Sequence, residues 1–79
     1  MILRIRYEQE ASNYFFDNGE LTRGLMIAVE TLAFTAGIPT TGEHTALDNG
    51  LSLWVVMGHI VIYRVVGDQL FVRAVMPVE

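Results

Sequence analysis

Two guanidinium groups bracket one strand-like run of this chain, "RVVGDQLFVR", from Arg64 to Arg73. There is no lysine, so Arg4, Arg6, Arg23, Arg64 and Arg73 supply every permanent side-chain cation. Each is a planar fork suited to bidentate contact with a carboxylate or a phosphate. Of the two histidines, His44 stands beside Glu43 and His59 follows Gly58. Neither has a second ligand at a recognisable metal spacing, nor a partner at the spacing of a base and its acid. With no cysteine, neither a thiolate metal site nor a disulfide framework is available. Phosphodiester cleavage needs a base, an acid or stabilising cations gathered around the phosphate. The sequence therefore points to no catalytic residue, no metal site and no cofactor. What remains is recognition of an anionic partner by arginine.

The elements that must position those arginines follow from periodicity. "ILRIRY" alternates with period two, Leu3, Ile5 and Tyr7 on one side and Arg4 and Arg6 on the other, which predicts a half-buried first strand. "EQEASNYFFDNG" places Ala11, Tyr14 and Phe15 at helical spacing before an Asn18-Gly19 stop. From Glu20 to Ala36 a second helix carries Leu21, Leu25, Ala28, Val29, Leu32 and Ala36 on one stripe, with Gly37 and Pro39 beyond its end. Ile27 and Phe34 share the opposite arc with Arg23 and Glu30. The first helix is expected to cover them in a helical hairpin, a partner contact being the alternative. "GIPTTGEHTALDNG" reads as a loop, which makes His44 a solvated loop histidine. "LSLWVVM", "HIVIYRVV" and "QLFVRAV" then read as three strands joined at Gly58 and Gly67-Asp68. The expected class is α+β: a short N-terminal strand, a two-helix hairpin and a three-stranded antiparallel meander, with the helices on one face, in one domain over 1–79.

A two-residue turn at Gly67-Asp68 pairs Val66 with Gln69, Arg64 with Phe71, Tyr63 with Val72 and Ile62 with Arg73. Val61, Tyr63, Val65, Leu70, Val72 and Ala74 then form an uncharged floor for the helices, joined by Ser52, Trp54 and Val56 if a similar turn surrounds Gly58. Trp54 is a core residue on this reading, and His59 a hydrogen-bonded structural histidine at the edge of the floor. The other face carries Leu51, Leu53, Val55, Ile60, Ile62, Phe71 and Val75, studded with Arg64 and Arg73. It is too apolar for a simple solvent surface. Arg4 and Arg6 join it if the first strand enters the sheet apolar side inward. Arg64, Arg73, Ile62, Phe71, Val75, Arg4 and Arg6 are thus the expected binding face, and solubilisation of an exposed sheet is the rival reading.

Composition narrows the partner. The chain has 79 residues, is 52% hydrophobic and carries a formal charge of -4. Residues 1–50 hold all of that excess, and 51–79 are balanced. An acidic chain disfavours direct nucleic-acid binding, which rests on neutralising phosphates. The apolar stretches are broken by Arg64, Asp68 and Arg73, short of the roughly 20 residues of a membrane helix, so no membrane association is expected. "MILRIRYEQE" lacks a secretory signal, so the mature chain is expected to begin near Met1 and to stay in the cytoplasm.

The order of elements, ending in "IYRVVGDQLFVRAV" from Ile62 to Val75 with Trp54 and Gly58-His59 before it, resembles the RelE/ParE superfamily of bacterial toxins from type II toxin–antitoxin and plasmid-stabilisation systems. The resemblance implies helices on one face of the sheet and an open face that meets the antitoxin or the target. RelE-like members cleave messenger RNA on the ribosome with basic, histidine or tyrosine residues near the last strand. ParE-like members poison DNA gyrase instead. Here the chain ends "RAVMPVE", with Met76, Pro77, Val78 and Glu79 where such toxins often continue with a histidine and further basic residues. The expected function is that of a toxin-like component acting through protein binding, neutralised by an antitoxin protein on the open face. The alternatives are a non-toxic, degenerate interaction protein that pairs with itself and, behind it, a ribosome-associated messenger-RNA endoribonuclease.

Overall fold

The computed structural model describes residues 2–79; Met1, the expected start of the mature chain, lies outside them. The elements run β1 (Arg4–Tyr7), α1 (Gln9–Asp17), α2 (Arg23–Phe34), β2 (Glu43–Ala46), a 3-10 turn (Asp48–Gly50), β3 (Ser52–Val56), β4 (His59–Val66) and β5 (Gln69–Pro77). They make an α+β domain in which one mixed sheet of five strands has the order β1-β5-β4-β3-β2. β1 is parallel to β5, and the other neighbours are antiparallel.

Local chemistry accounts for the turns. Met57 and Gly58 both have positive φ, at 51° and 73°, the signature of the two-residue hairpin turn whose twist matches its strands. Gly67 has φ 61° and begins the turn that closes β4 on β5 by pairing Val66 with Gln69. β1 is tied down at both ends. The Arg4 amide donates to the Asp68 carbonyl at 2.8 Å, and the Glu8 amide to the Val72 carbonyl at 2.9 Å.

The sheet is wider than the expected first strand plus three. The segment 37–50, read as a loop, contributes β2, which pairs Glu43 with Val55, His44 with Trp54 and Thr45 with Leu53. All four β2 residues are exposed. An edge strand held by backbone pairing alone needs no apolar alternation, so periodicity gives no sign of it. His44 therefore sits on a strand, its ring stacked on that of Tyr63 at 6.1 Å.

The helices also depart from expectation. α1 packs on β5 and β1, burying Ala11 and Phe15, and α2 buries Leu25, Val29, Leu32 and Ala33. Both inward stripes face the same sheet, so nine-residue α1 does not cover the outer arc of α2. Ile27 and Phe34 are 60% and 65% exposed. Leu21, placed on the buried stripe by periodicity, precedes the helix and is 68% exposed. Between the layers lie Trp54, Val61, Tyr63, Leu70 and Val72, each at most 2% exposed.

Candidate binding face

From the Gly67-Asp68 turn the hairpin pairs Val65 with Leu70, Arg64 with Phe71 and Tyr63 with Val72, and then it slips. Ile62 pairs with Ala74 and Val61 with Val75, so Arg73 is the extra residue of a β-bulge. Uninterrupted pairing would set Ile62 against Arg73 and Val61 against Ala74. The slip corrects two assignments. Val75, expected on the open face, turns inward and is 5% exposed. Ala74, expected in the floor, pairs with Ile62 on the open side, yet it stays covered at 9% exposed. The physical reason is volume: putting Val75 rather than Ala74 beside Val61 buries two more carbons, about 1.6 kcal/mol of transfer free energy at ~0.8 kcal/mol per methylene, while Arg73 stays in water. Val65, also expected in the floor, lies near the turn and is 40% exposed.

The register arranges the open side in rows across the strands. Arg4, Gln69 and Val66 make the first, and Arg6, Phe71 and Arg64 the second. Ala74, Ile62 and Leu53 make the third, with Arg73 looped out beside it. Met76, Ile60 and Val55 make the fourth, continued by Glu43 on the far edge strand. Phe71 therefore stands in register between two arginines, and Arg64 Cζ lies 5.5 Å from its ring centroid. An exposed cation over an aromatic face contributes about 0.5–1 kcal/mol, enough to hold the Arg64 fork over Phe71. Arg4, Arg6, Arg64 and Arg73 are all exposed. Among the side-chain hydrogen bonds of the described residues, none comes from these four. Sequence reasoning missed the bulge and the corner acid Glu43, and the Arg64–Phe71 stack could have been read from their direct pairing.

Several polar groups on the helix side pair within the fold. His59 is 5% exposed. Its Nδ1 is 2.9 Å from the Met57 carbonyl, which can only accept, so Nδ1 carries the proton and donates. Nε2 is hydrogen-bonded to the Tyr14 hydroxyl at 2.9 Å. Both ring nitrogens are engaged within the fold, as a structural histidine requires. A cleft of about 200 Å³ lies between α2 and Trp54. On its wall Trp54 Nε1 donates to the Thr41 carbonyl at 2.8 Å, Thr31 Oγ1 to the Ile27 carbonyl at 3.0 Å and Thr35 Oγ1 to the Leu32 carbonyl at 3.1 Å. The Tyr63 hydroxyl donates to the Gly37 carbonyl at 2.7 Å. The Tyr7 hydroxyl is buried with no partner. Burial pushes the ionisation of both tyrosines up, with nearby Glu30 adding to the rise at Tyr7.

Among the described residues no cluster of three or more histidines, cysteines or acids could hold a metal ion, and no helix is long and apolar enough to cross a membrane. What the geometry defines is a small α+β domain with helices on one side of the sheet and an arginine-rimmed apolar surface on the other. Compared with known proteins, the chain matches no family, no curated protein and no solved structure.

Proposed function

We propose that this chain is a protein-binding module of the toxin-like kind, whose open sheet face receives an extended partner segment that alternates carboxylates with apolar side chains. The observation that carries the reading is the row Arg6–Phe71–Arg64, an aromatic in register between two exposed arginines, one of them over its ring, with Arg4 and Arg73 in the neighbouring rows. Aromatic and arginine side chains dominate the energy of protein interfaces. A carboxylate laid over this row gains charge-assisted hydrogen bonds of about 1.5–3 kcal/mol each, and Ile60, Ile62 and Leu53 supply apolar contact beside it. The resemblance of "IYRVVGDQLFVRAV" to RelE/ParE toxins makes the partner an antitoxin and the target a protein such as DNA gyrase. Binding is preferred to RNA cleavage because the histidine nearest the last strand, His59, is buried with both nitrogens engaged.

The test is inducible expression of the chain in bacteria, scored for growth arrest, alongside the Arg64→Ala/Arg73→Ala variant. Both arginines are exposed, so the variant should melt close to the parent. It should lose growth arrest and capture of a co-expressed antitoxin. Growth unaffected by the parent chain rejects the toxin reading. A strongly destabilised double variant rejects the assignment of these arginines to a binding face.

A further inference from the structure

The two sides of the domain carry opposite charge as well as exposed apolar side chains. On the open sheet side stand Arg4, Arg6, Arg64 and Arg73, with Glu43 at the far corner. On the helix side Glu10, Asp17, Glu20 and Glu30 are all exposed, against the single cation Arg23. The helix side is not simply a solvated acidic surface. Phe16 at the end of α1 is 88% exposed, and Ile27 and Phe34 flank Glu30 along the outer arc of α2 at 60% and 65%. Because the layers are stacked, these two surfaces point in opposite directions.

From this we infer that the chain assembles with itself head to tail, the acidic, apolar helix layer of one copy seated on the arginine-rimmed sheet face of the next. Contact between two sheet faces would set guanidinium groups against guanidinium groups, and contact between two helix layers carboxylates against carboxylates. Either costs several kcal/mol in an interface that excludes water. Only the unlike pairing matches charge with charge and apolar surface with apolar surface. Such a contact is heterologous, so it leaves a free sheet face at one end and a free helix layer at the other, and it grows into a ring or an open chain. The inference rests on the same open face as the proposed function. The helix layer of a neighbour and the antitoxin segment therefore compete for one surface, and assembly would store the module until a partner displaces the neighbour.

Two variants block one surface each without touching the core: Arg64→Glu/Arg73→Glu on the sheet, and Ile27→Arg/Glu30→Arg on α2. Sedimentation velocity over a concentration series should show the parent chain associating, with association weakening as salt rises. Each variant alone should associate about tenfold or more weakly. Mixed in equal amounts, the two should form a discrete heterodimer, because the helix-blocked copy keeps an intact sheet face and the sheet-blocked copy an intact helix layer. A parent chain that stays monomeric at millimolar concentration overturns the inference. So does a helix-blocked variant that associates as the parent does, since that result belongs to pairing of sheet faces or strand edges. Both outcomes leave the reading of the arginine face as a partner site standing, because growth arrest and antitoxin capture are scored separately.

Discussion

The position of Val75 is the sharpest consequence of the bulge at Arg73. Uninterrupted pairing of β4 with β5 would turn Val75 to the open face, where removing its methyl groups would change stability by no more than about 0.5 kcal/mol. In the structure Val75 lies opposite Val61 and is 5% exposed. Val75→Ala removes two carbons from the core, about 1.6 kcal/mol at ~0.8 kcal/mol each, and the small cavity left beside Val61 brings the expected loss to about 2 kcal/mol. For a domain of this size that lowers the melting temperature by roughly 8–16 °C. The control is Val66→Ala, the same chemical change at a residue that is 53% exposed on the same hairpin; it should move the midpoint by no more than a few degrees. Thermal unfolding followed by circular dichroism, with both variants compared under one buffer, reads the difference directly. Equal shifts for the two valines would show that Val75 is not in the core and that the bulge is absent.

Deleting Arg73 tests the same feature from the other side. The deletion leaves Val72 opposite Tyr63, Ala74 opposite Ile62 and Val75 opposite Val61, so the chain should fold with stability within about 1 kcal/mol of the parent, and a chain that fails to fold would refute the observed register. The buried tyrosines predict an alkaline limit. Their ionisation is raised above its ordinary value of about 10, so the folded state keeps its proton where the unfolded chain releases it. This stabilisation is complete below that ordinary value and is lost as pH rises above it. Tyr7→Phe should therefore lessen the alkaline loss and leave stability at neutral pH unchanged or higher, because the Tyr7 hydroxyl has no partner to lose. Tyr63→Phe strips the Gly37 carbonyl of its donor and should cost about 1 kcal/mol at neutral pH. Chemical denaturation of both variants at neutral and alkaline pH separates them, and a stabilising Tyr63→Phe would contradict the hydrogen bond.

Different parts of this fold are legible in the sequence for different physical reasons. The Leu25, Val29 and Leu32 stripe and Trp54 were readable because burial imposes a period, and all four lie between the layers. The pairing of Arg64 with Phe71 was readable because a two-residue turn propagates register outward from Gly67-Asp68. β2 was not, since an exposed edge strand is selected by its backbone and leaves no apolar pattern. The outer arc of α2 was readable as apolar but not as uncovered, because whether α1 reaches it depends on where the sheet holds both helices.

The bulge is the instructive case. A strand that skips one pairing keeps the composition of a strand that does not, so Arg73 could not be singled out by residue type. The trace it leaves is one of volume. Strict alternation after Val72 would bury Ala74 and expose Val75, giving the core the smaller residue and water the larger one. Turning the chain by one residue brings the larger Val75 into the core, leaves Ala74 covered at 9% exposed and buries no charge, because the residue left over is an arginine whose side chain is better hydrated than packed. The same slip leaves three of the four open-side arginines in regular strand positions and the fourth looped out beside Ile62. A bulged residue is not held by the ladder, so Arg73 is freer to reorient than the three arginines in regular strand positions. The feature that corrects the core assignment therefore also leaves the arginine-rimmed face adaptable at that corner.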